Sequence, residues 1–417
     1  MTPSTILWIY IALVALDLGW GLFLTFLNLR GVAAHAGEVP EEFRGIVTPE
    51  EHAKAAAYSR ARMSLGFVES PVMSALTVAV VASGLFGLLD RALGGLVPAA
   101  YWHGILFLGA VGLASGILGL PFSLYSTFVL EKRFGFNTTT VRTWLLDLAK
   151  GAAISVVIGL PLLWLLFVFI DRAGGLWWLW AAAIFTVVDI ALSLLFPLVI
   201  APLFNKFTPL PEGSLAERIR SLADRLGFRM SGIFVMDSSK RSRHSNAYFT
   251  GLGRVKRIVL FDTLVSSMSE DEILAVLAHE IGHEKKRHVL KGTILSVALS
   301  FVAFWVLSVL MGWRELYAAF GFATMSKHAI LLIFGLISGP ATFFLTPLFS
   351  AWSRKHEYEA DRYSAEAAGA EAMASALVRL NRENASNLTP HPLYSAWYYS
   401  HPTLSERLAA IRRVRPA

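Results

Sequence analysis

The chain has no cysteine among its 417 residues. That excludes a disulfide framework, a thiolate metal ligand and a catalytic thiol, so any metal site has to be built from histidines and carboxylates. Charge is also scarce. Charged residues make up 16% of the chain against 55% hydrophobic ones, and mean hydropathy is +0.55. So few charges do not coat a soluble globule of this length, and the composition is that of a membrane protein. The net charge of +7 is basic, but the placement of the basic residues explains it without a nucleic-acid partner, and none is expected.

Long apolar runs are what the chain has instead. Seven segments, near 5–29, 66–88, 102–126, 150–171, 176–200, 289–311 and 328–350, approach or reach the roughly 20 helical residues that cross a bilayer core. With seven spans, only Arg91, Arg172, Arg314 and Lys327 of the 37 Lys and Arg fall on one side. The others crowd the 30–65, 127–149 and 201–288 loops, the tail and their margins. By the positive-inside rule that crowded side is cytoplasmic. Asp17, Glu69 and Asp189 lie inside spans, where ionisable groups normally face a bundle interior or a water-filled cavity, so a hydrated interior is expected.

The chemistry concentrates in residues 269–291, SEDEILAVLAHEIGHEKKRHVLK. Ser269 followed by Glu272 is a capping box, and Ile273, Leu274, Val276, Leu277 and Ile281 recur at helical spacing, which predicts a helix with one buried face. His279 and His283 then share a face with Glu280 between them, the HExxH arrangement in which two imidazoles hold Zn²⁺ and the carboxylate acts as base. Ahead of it, Ser214–Leu226 reads as a helix and 232–237, 246–250 and 257–262 as the strands of a small sheet. In zinc proteases an extended peptide pairs with such a sheet edge. Lys240, Arg241 and Arg243 read as a solvated turn. Asn137, Asn384 and Asn387 fit the glycosylation pattern but fall on the cytoplasmic side, and are read as chance.

A catalytic zinc takes three protein ligands and keeps one open position. The best third candidate lies in SRKHEYEADRYS (353–364), which reads as a helix. Glu357 and Asp361 share a face there, so one can bind metal while the other orients a ligand histidine, whereas Glu359 points elsewhere. Spacing alone leaves Glu284, His288 and His356 open as alternatives.

HEIGHEKKRH (279–288), two spans and SRKHEYEADRYS together resemble the integral-membrane zinc proteases of the CAAX prenyl protease 1 type. LPFSLYSTFVLEKRFGFNTTT (120–140), APLFNKFTPLPEGSL (201–215), KRSRHSNAYFTG (240–251) and SHPTLSERL (400–408) are similar to the same family. The resemblance implies a mainly α polytopic fold: seven transmembrane helices around a hydrated chamber, capped by a gluzincin-like α+β zinc domain. It implies zinc on His279, His283 and Glu357, Glu280 as catalytic base and Asp361 supporting a ligand histidine. It further implies that Asn246 and His401 contact the scissile peptide or its oxyanion, while His288 is read as structural. The expected division is 1–200 for five spans, 201–288 for the first part of the zinc domain, 289–350 for two spans and 351–417 for the second part.

The implied substrate is a peptide or protein with a prenylated CAAX C-terminus, met at the lipid bilayer. The composition points to a bacterial inner membrane with the zinc domain cytoplasmic, or to the endoplasmic reticulum in a eukaryote. Two other readings compete. An HtpX-type quality-control protease shares the zinc core but has fewer spans. A non-catalytic lipid or peptide carrier would not need Glu280 and Glu357 intact. A site-2-type protease is disfavoured because Glu284, Lys285, Lys286, Arg287 and His288 directly follow the motif, which therefore lies outside a span.

Overall fold

The computed structural model describes residues 1–97, 99–250 and 256–414. Among them, seven helical segments are long and apolar enough to cross a membrane, and each overlaps one of the expected spans. Exposed side chains such as Trp8, Val157, Val187 and Val289 give these helices the apolar outer surface that lipid requires.

The helices overrun the apolar stretches, because hydropathy marks only the part of a helix that sits in lipid. The second span departs most from expectation. It runs Pro49–Ala82, so residues 49–65, expected in a loop, are helical. Thr48 and Glu51 close a capping box there, which together with the alanine-rich stretch after it starts the helix well before the apolar run. At the far end Gly84, at φ 70°, turns the chain into a separate short helix, Leu85–Leu96. The seventh span, Lys327–Thr342, passes through a 3₁₀ turn at Phe343–Leu345 into a helix over Thr346–Ala368. One nearly continuous rod thus carries the last span into the segment bearing Glu357.

A cavity of about 1360 Å³ runs along the first, second and seventh spans to the C-terminal region. Polar side chains reach into it through most of its length, including Asp17, Thr25, Glu69 and Thr77. Asp17 and Glu69 therefore face a polar interior, as expected. Asp189 stands exposed on the fifth span, outside this cavity wall.

The sheet has four strands, β1 (Phe207–Pro209), β2 (Gly232–Met236), β3 (Ala247–Thr250) and β4 (Arg257–Phe261), in the order β1-β2-β4-β3. β1 is an addition to the three expected strands; it is too short and too Pro-rich to stand out. The turn joining β3 to β4, residues 251–255, lies outside the described residues. One buried core joins Ile219, Ile258 and Leu277 to Ala376, Leu377 and Leu408, so the two polar regions flanking the last two spans pack as one body.

The turn at 240–243 is more than a solvated one. Arg241 donates two hydrogen bonds to Asp147, at 2.7 and 2.9 Å, and a third to Asn205 Oδ1. Asn384, one of the glycosylation-like positions, accepts from the backbone of Ser245 and donates back to its carbonyl, so its amide is already committed.

Candidate metal centre

The motif helix runs Glu270–Lys285, and Ser269 and Glu272 cap it reciprocally as expected. Such a cap is worth about 0.5–2 kcal/mol and fixes where the helix starts, hence which face carries His279 and His283. The helix packs against Thr346–Ala368, and Gly282 of the motif permits the approach. A Cβ at Gly282 would sit 3.1 Å from Tyr363 Cβ and 3.2 Å from Ala360 Cα. The buried Ser364 hydroxyl ties the pair by donating to the Ala275 carbonyl at 2.6 Å.

That crossing brings His279, His283 and Glu357 together. The two Nε2 atoms are 3.1 Å apart, and each is 3.4 Å from a different oxygen of Glu357. Their Nδ1 atoms face outward to partners. His279 Nδ1 lies 2.9 Å from Asp361 Oδ1, within ion-pair distance though off the line of a straight hydrogen bond. His283 Nδ1 lies 3.0 Å from His288 Nδ1, and His288 Nε2 is 3.0 Å from Glu359 Oε2. Glu359 can only accept, so His288 donates from Nε2 and its Nδ1 accepts from His283. With both Nδ1 atoms turned outward, the two Nε2 atoms face each other and a carboxylate. Glu357 Oε2 is buried without a hydrogen-bond partner. Two converging ring nitrogens and an orphaned buried acceptor are a donor set that a cation satisfies, so the residues present fit a bound metal.

Asp361 is 1% exposed and accepts from Arg407 Nε at 2.8 Å and Nη2 at 2.6 Å. Arg407 Nη2 also comes within 3.5 Å of Glu357 Oε2. The sequence reading assigned Arg407 no role. It lies in the SHPTLSERL string, but nothing in its local pattern separates it from a surface arginine. His288, expected to be structural, is the hydrogen-bond partner of the His283 ring. Of the open alternatives, His356 stacks on His288 with centroids 4.0 Å apart, and Glu284 pairs with Lys256; neither belongs to the cluster.

Glu280 is half-buried and makes no hydrogen bond or ion pair with another described residue. Burial raises its carboxyl pKa, with the charges of His279 and His283 opposing. His401 Nε2 is 3.3 Å from Glu357 Oε1, and the ring is exposed to the cavity, whose wall includes both His401 and Arg407. Asn246 is not drawn into this group. Its side-chain oxygen accepts from the Ala247 backbone at 2.8 Å, and it stands just before β3, one of the two edge strands.

Comparison with known proteins identifies the family. Residues 28–206 match the family model for the CAAX prenyl protease N-terminal region, five membrane helices, and residues 209–415 match that of peptidase family M48. CAAX prenyl protease 1 of Saccharomyces cerevisiae is 43% identical over 325 residues, covering 74% of this chain and 71% of that protein. The CAAX prenyl protease 1 homolog of Arabidopsis thaliana is 37% identical over 399 residues, 94% of each. The crystal structure of S. mikatae Ste24p superposes with a TM-score of 0.91 at 35% identity, over 97% of this chain and 99% of that one. The chain belongs to peptidase family M48, in its CAAX prenyl protease 1 group, and is a multi-pass membrane metalloprotease.

Proposed function

We propose that the protein uses Zn²⁺ held by His279, His283 and Glu357 to hydrolyse a peptide bond near the C-terminus of prenylated CAAX proteins. The observation that carries the reading is the convergence of two imidazole nitrogens and a buried carboxylate, beside an unpaired Glu280, at a cavity that continues into the membrane.

Zinc, when bound, supplies a Lewis acid that polarises the scissile carbonyl and lowers the pKa of the attacking water toward ~7. Glu280 takes the proton from that water and returns it to the leaving amine. Its raised pKa suits a group that has to both accept and release a proton. His401, facing the cavity beside Glu357, donates to the carbonyl oxygen as negative charge grows on it. Asp361 and His288 hold the two ligand rings, and Arg407 holds Asp361. The peptide lies against the β3 edge, with Asn246 just before it orienting the strand.

In this reading residues 201–288 and 351–417 form one protease domain on the cytoplasmic side, 1–200 and 289–350 form the membrane part, and the lipid bilayer delivers the prenylated end to the cavity. A farnesylated CAAX peptide given to the detergent-solubilised protein is expected to be cleaved, with loss of cleavage on chelation and recovery on adding zinc. Zinc-loaded protein that leaves this peptide intact but cuts unprenylated membrane proteins would support the quality-control reading instead.

A further inference from the structure

Asp90, His103 and His328 converge far from the site described above. At about 1.5 Å per helical residue, the rod that joins His328 to Glu357 separates the two clusters by roughly 40 Å, more than the hydrocarbon core of a bilayer. Three elements contribute: the short helix Leu85–Leu96, the first turn of the third span and the first turn of the seventh. Asp90 Oδ1 lies 2.7 Å from His328 Nε2 and 3.0 Å from His103 Nε2.

Among the described residues no lysine or arginine reaches Asp90, whose only ion-pair partners are the two imidazoles. Asp90 and His328 are buried. Lys327, next to His328, is instead paired with Asp171. A buried carboxylate is costly unless a cation compensates it. Two imidazoles and one carboxylate are a zinc donor set, and an ion there takes the place of the contacts that His103 Nε2 makes to the Asp90 carbonyl and His328 Nε2 to Ser326 Oγ, each at 3.0 Å. The His103 side chain is 18% exposed, which leaves a way in.

The surroundings hold the rings in place. Phe107 packs on His328 with centroids 5.0 Å apart, and Gly104 makes room for both His328 and Phe167. A Cβ at Gly104 would meet the Phe167 ring at 2.9 Å and His328 Nδ1 at 3.1 Å. The Asp90 helix is seated equally closely: a Cβ at Gly87 would fall 1.8 Å from the Gly321 carbonyl oxygen.

We propose that Asp90, His103 and His328 bind a second divalent transition-metal ion, zinc by the nature of the donors. It fastens the Leu85–Leu96 helix to the starts of the third and seventh spans. Tyr10 belongs both to the apolar core at this end and to the cavity wall, so the ion braces the wall of the cavity here. The observed separations are a few tenths of an ångström below the roughly 3.3 Å expected between tetrahedral ligands with bonds near 2.0 Å, a gap that a small ring rotation supplies.

The test is zinc content of solubilised protein that has been stripped with chelator, reloaded and dialysed. Two zinc ions per chain are expected for the parent, one for His279→Ala, and one for the double variant Asp90→Asn, His103→Gln. A parent that binds one ion and loses it in His279→Ala, or a double variant that binds as many as the parent, would leave only Asp–His hydrogen bonds at this site and overturn the proposal. A second measurement keeps the cluster intact. His279→Ala titrated with Co²⁺ is expected to develop the visible absorption of a tetrahedral site at one equivalent, and no such absorption would equally overturn it. Because His279→Ala removes a catalytic ligand only, failure of the protease assignment and failure of this one are read separately.

Discussion

Asp361 Oδ1 stands 2.9 Å from His279 Nδ1, one helical turn beyond Glu357 on the same helix. One helix thus carries both Glu357, the proposed third ligand, and the carboxylate beside the His279 ring, while Arg407 donates two hydrogen bonds to that carboxylate. Supports of this kind typically contribute 10–100-fold to metal affinity. Asp361→Asn is expected to weaken zinc binding at the catalytic cluster by about that factor, measured by competition with a chromophoric chelator.

The second ligand ring has a different support. His288→Leu removes the acceptor for His283 Nδ1 while filling a similar volume. Zinc affinity is expected to fall roughly 10–100-fold, with a smaller shift in melting temperature. Unchanged affinity would return His288 to a purely structural role.

Arg407 is the cation shared by two buried carboxylates, and removing one partner of such a group leaves charge uncompensated. Arg407→Leu is expected to destabilise the protease domain by roughly 3–5 kcal/mol, read from thermal or denaturant unfolding. Arg407→Lys keeps the charge but loses the two-pronged bond to Asp361, and should fall between the parent and Arg407→Leu.

What could be read from the chain alone follows the range of the interactions. The motif helix was legible because its cap, apolar periodicity and two histidines all lie within residues 269–285. Glu357 could be proposed as a ligand only with the family resemblance, since a lone helical glutamate looks the same whether solvated or ligating. Arg407 and the His288 link were not legible at all. Their partners lie far along the sequence at Asp361 and Glu359, or depend on which way one ring turns. The early start of the second span was hidden for another reason: residues 49–65 are a polar continuation of a membrane helix, and hydropathy does not register them. The Asp90–His103–His328 group is assembled from three elements with no spacing rule between them.

Metal uptake should depend on pH. Burial pushes the His279 imidazolium pKa down, but the adjacent carboxylates of Asp361 and Glu357 outweigh it and raise it to about 9 in the absence of metal. Below that pH the ring carries a proton that the metal has to displace. Zinc affinity at this site is therefore expected to fall as pH falls, by about tenfold per unit for one proton released. Zinc dissociation constants at several pH values between 6 and 8 check this, and a flat profile would contradict it.

His401 faces the cavity at 3.3 Å from Glu357 without being one of the three ligands. His401→Ala is expected to lower kcat by on the order of a hundredfold with zinc content unchanged, as loss of one oxyanion donor does. A change confined to KM would assign it to substrate binding alone.

The most direct test of the account is Glu280→Gln, assayed for zinc content and for cleavage of a farnesylated CAAX peptide in the same preparation. Glu280 touches none of the three ligands by hydrogen bond, so the variant should keep the parent's zinc content. Zinc at the parent level with no measurable turnover is the predicted result. Zinc at the parent level with substantial cleavage would contradict the assignment of Glu280 as the base.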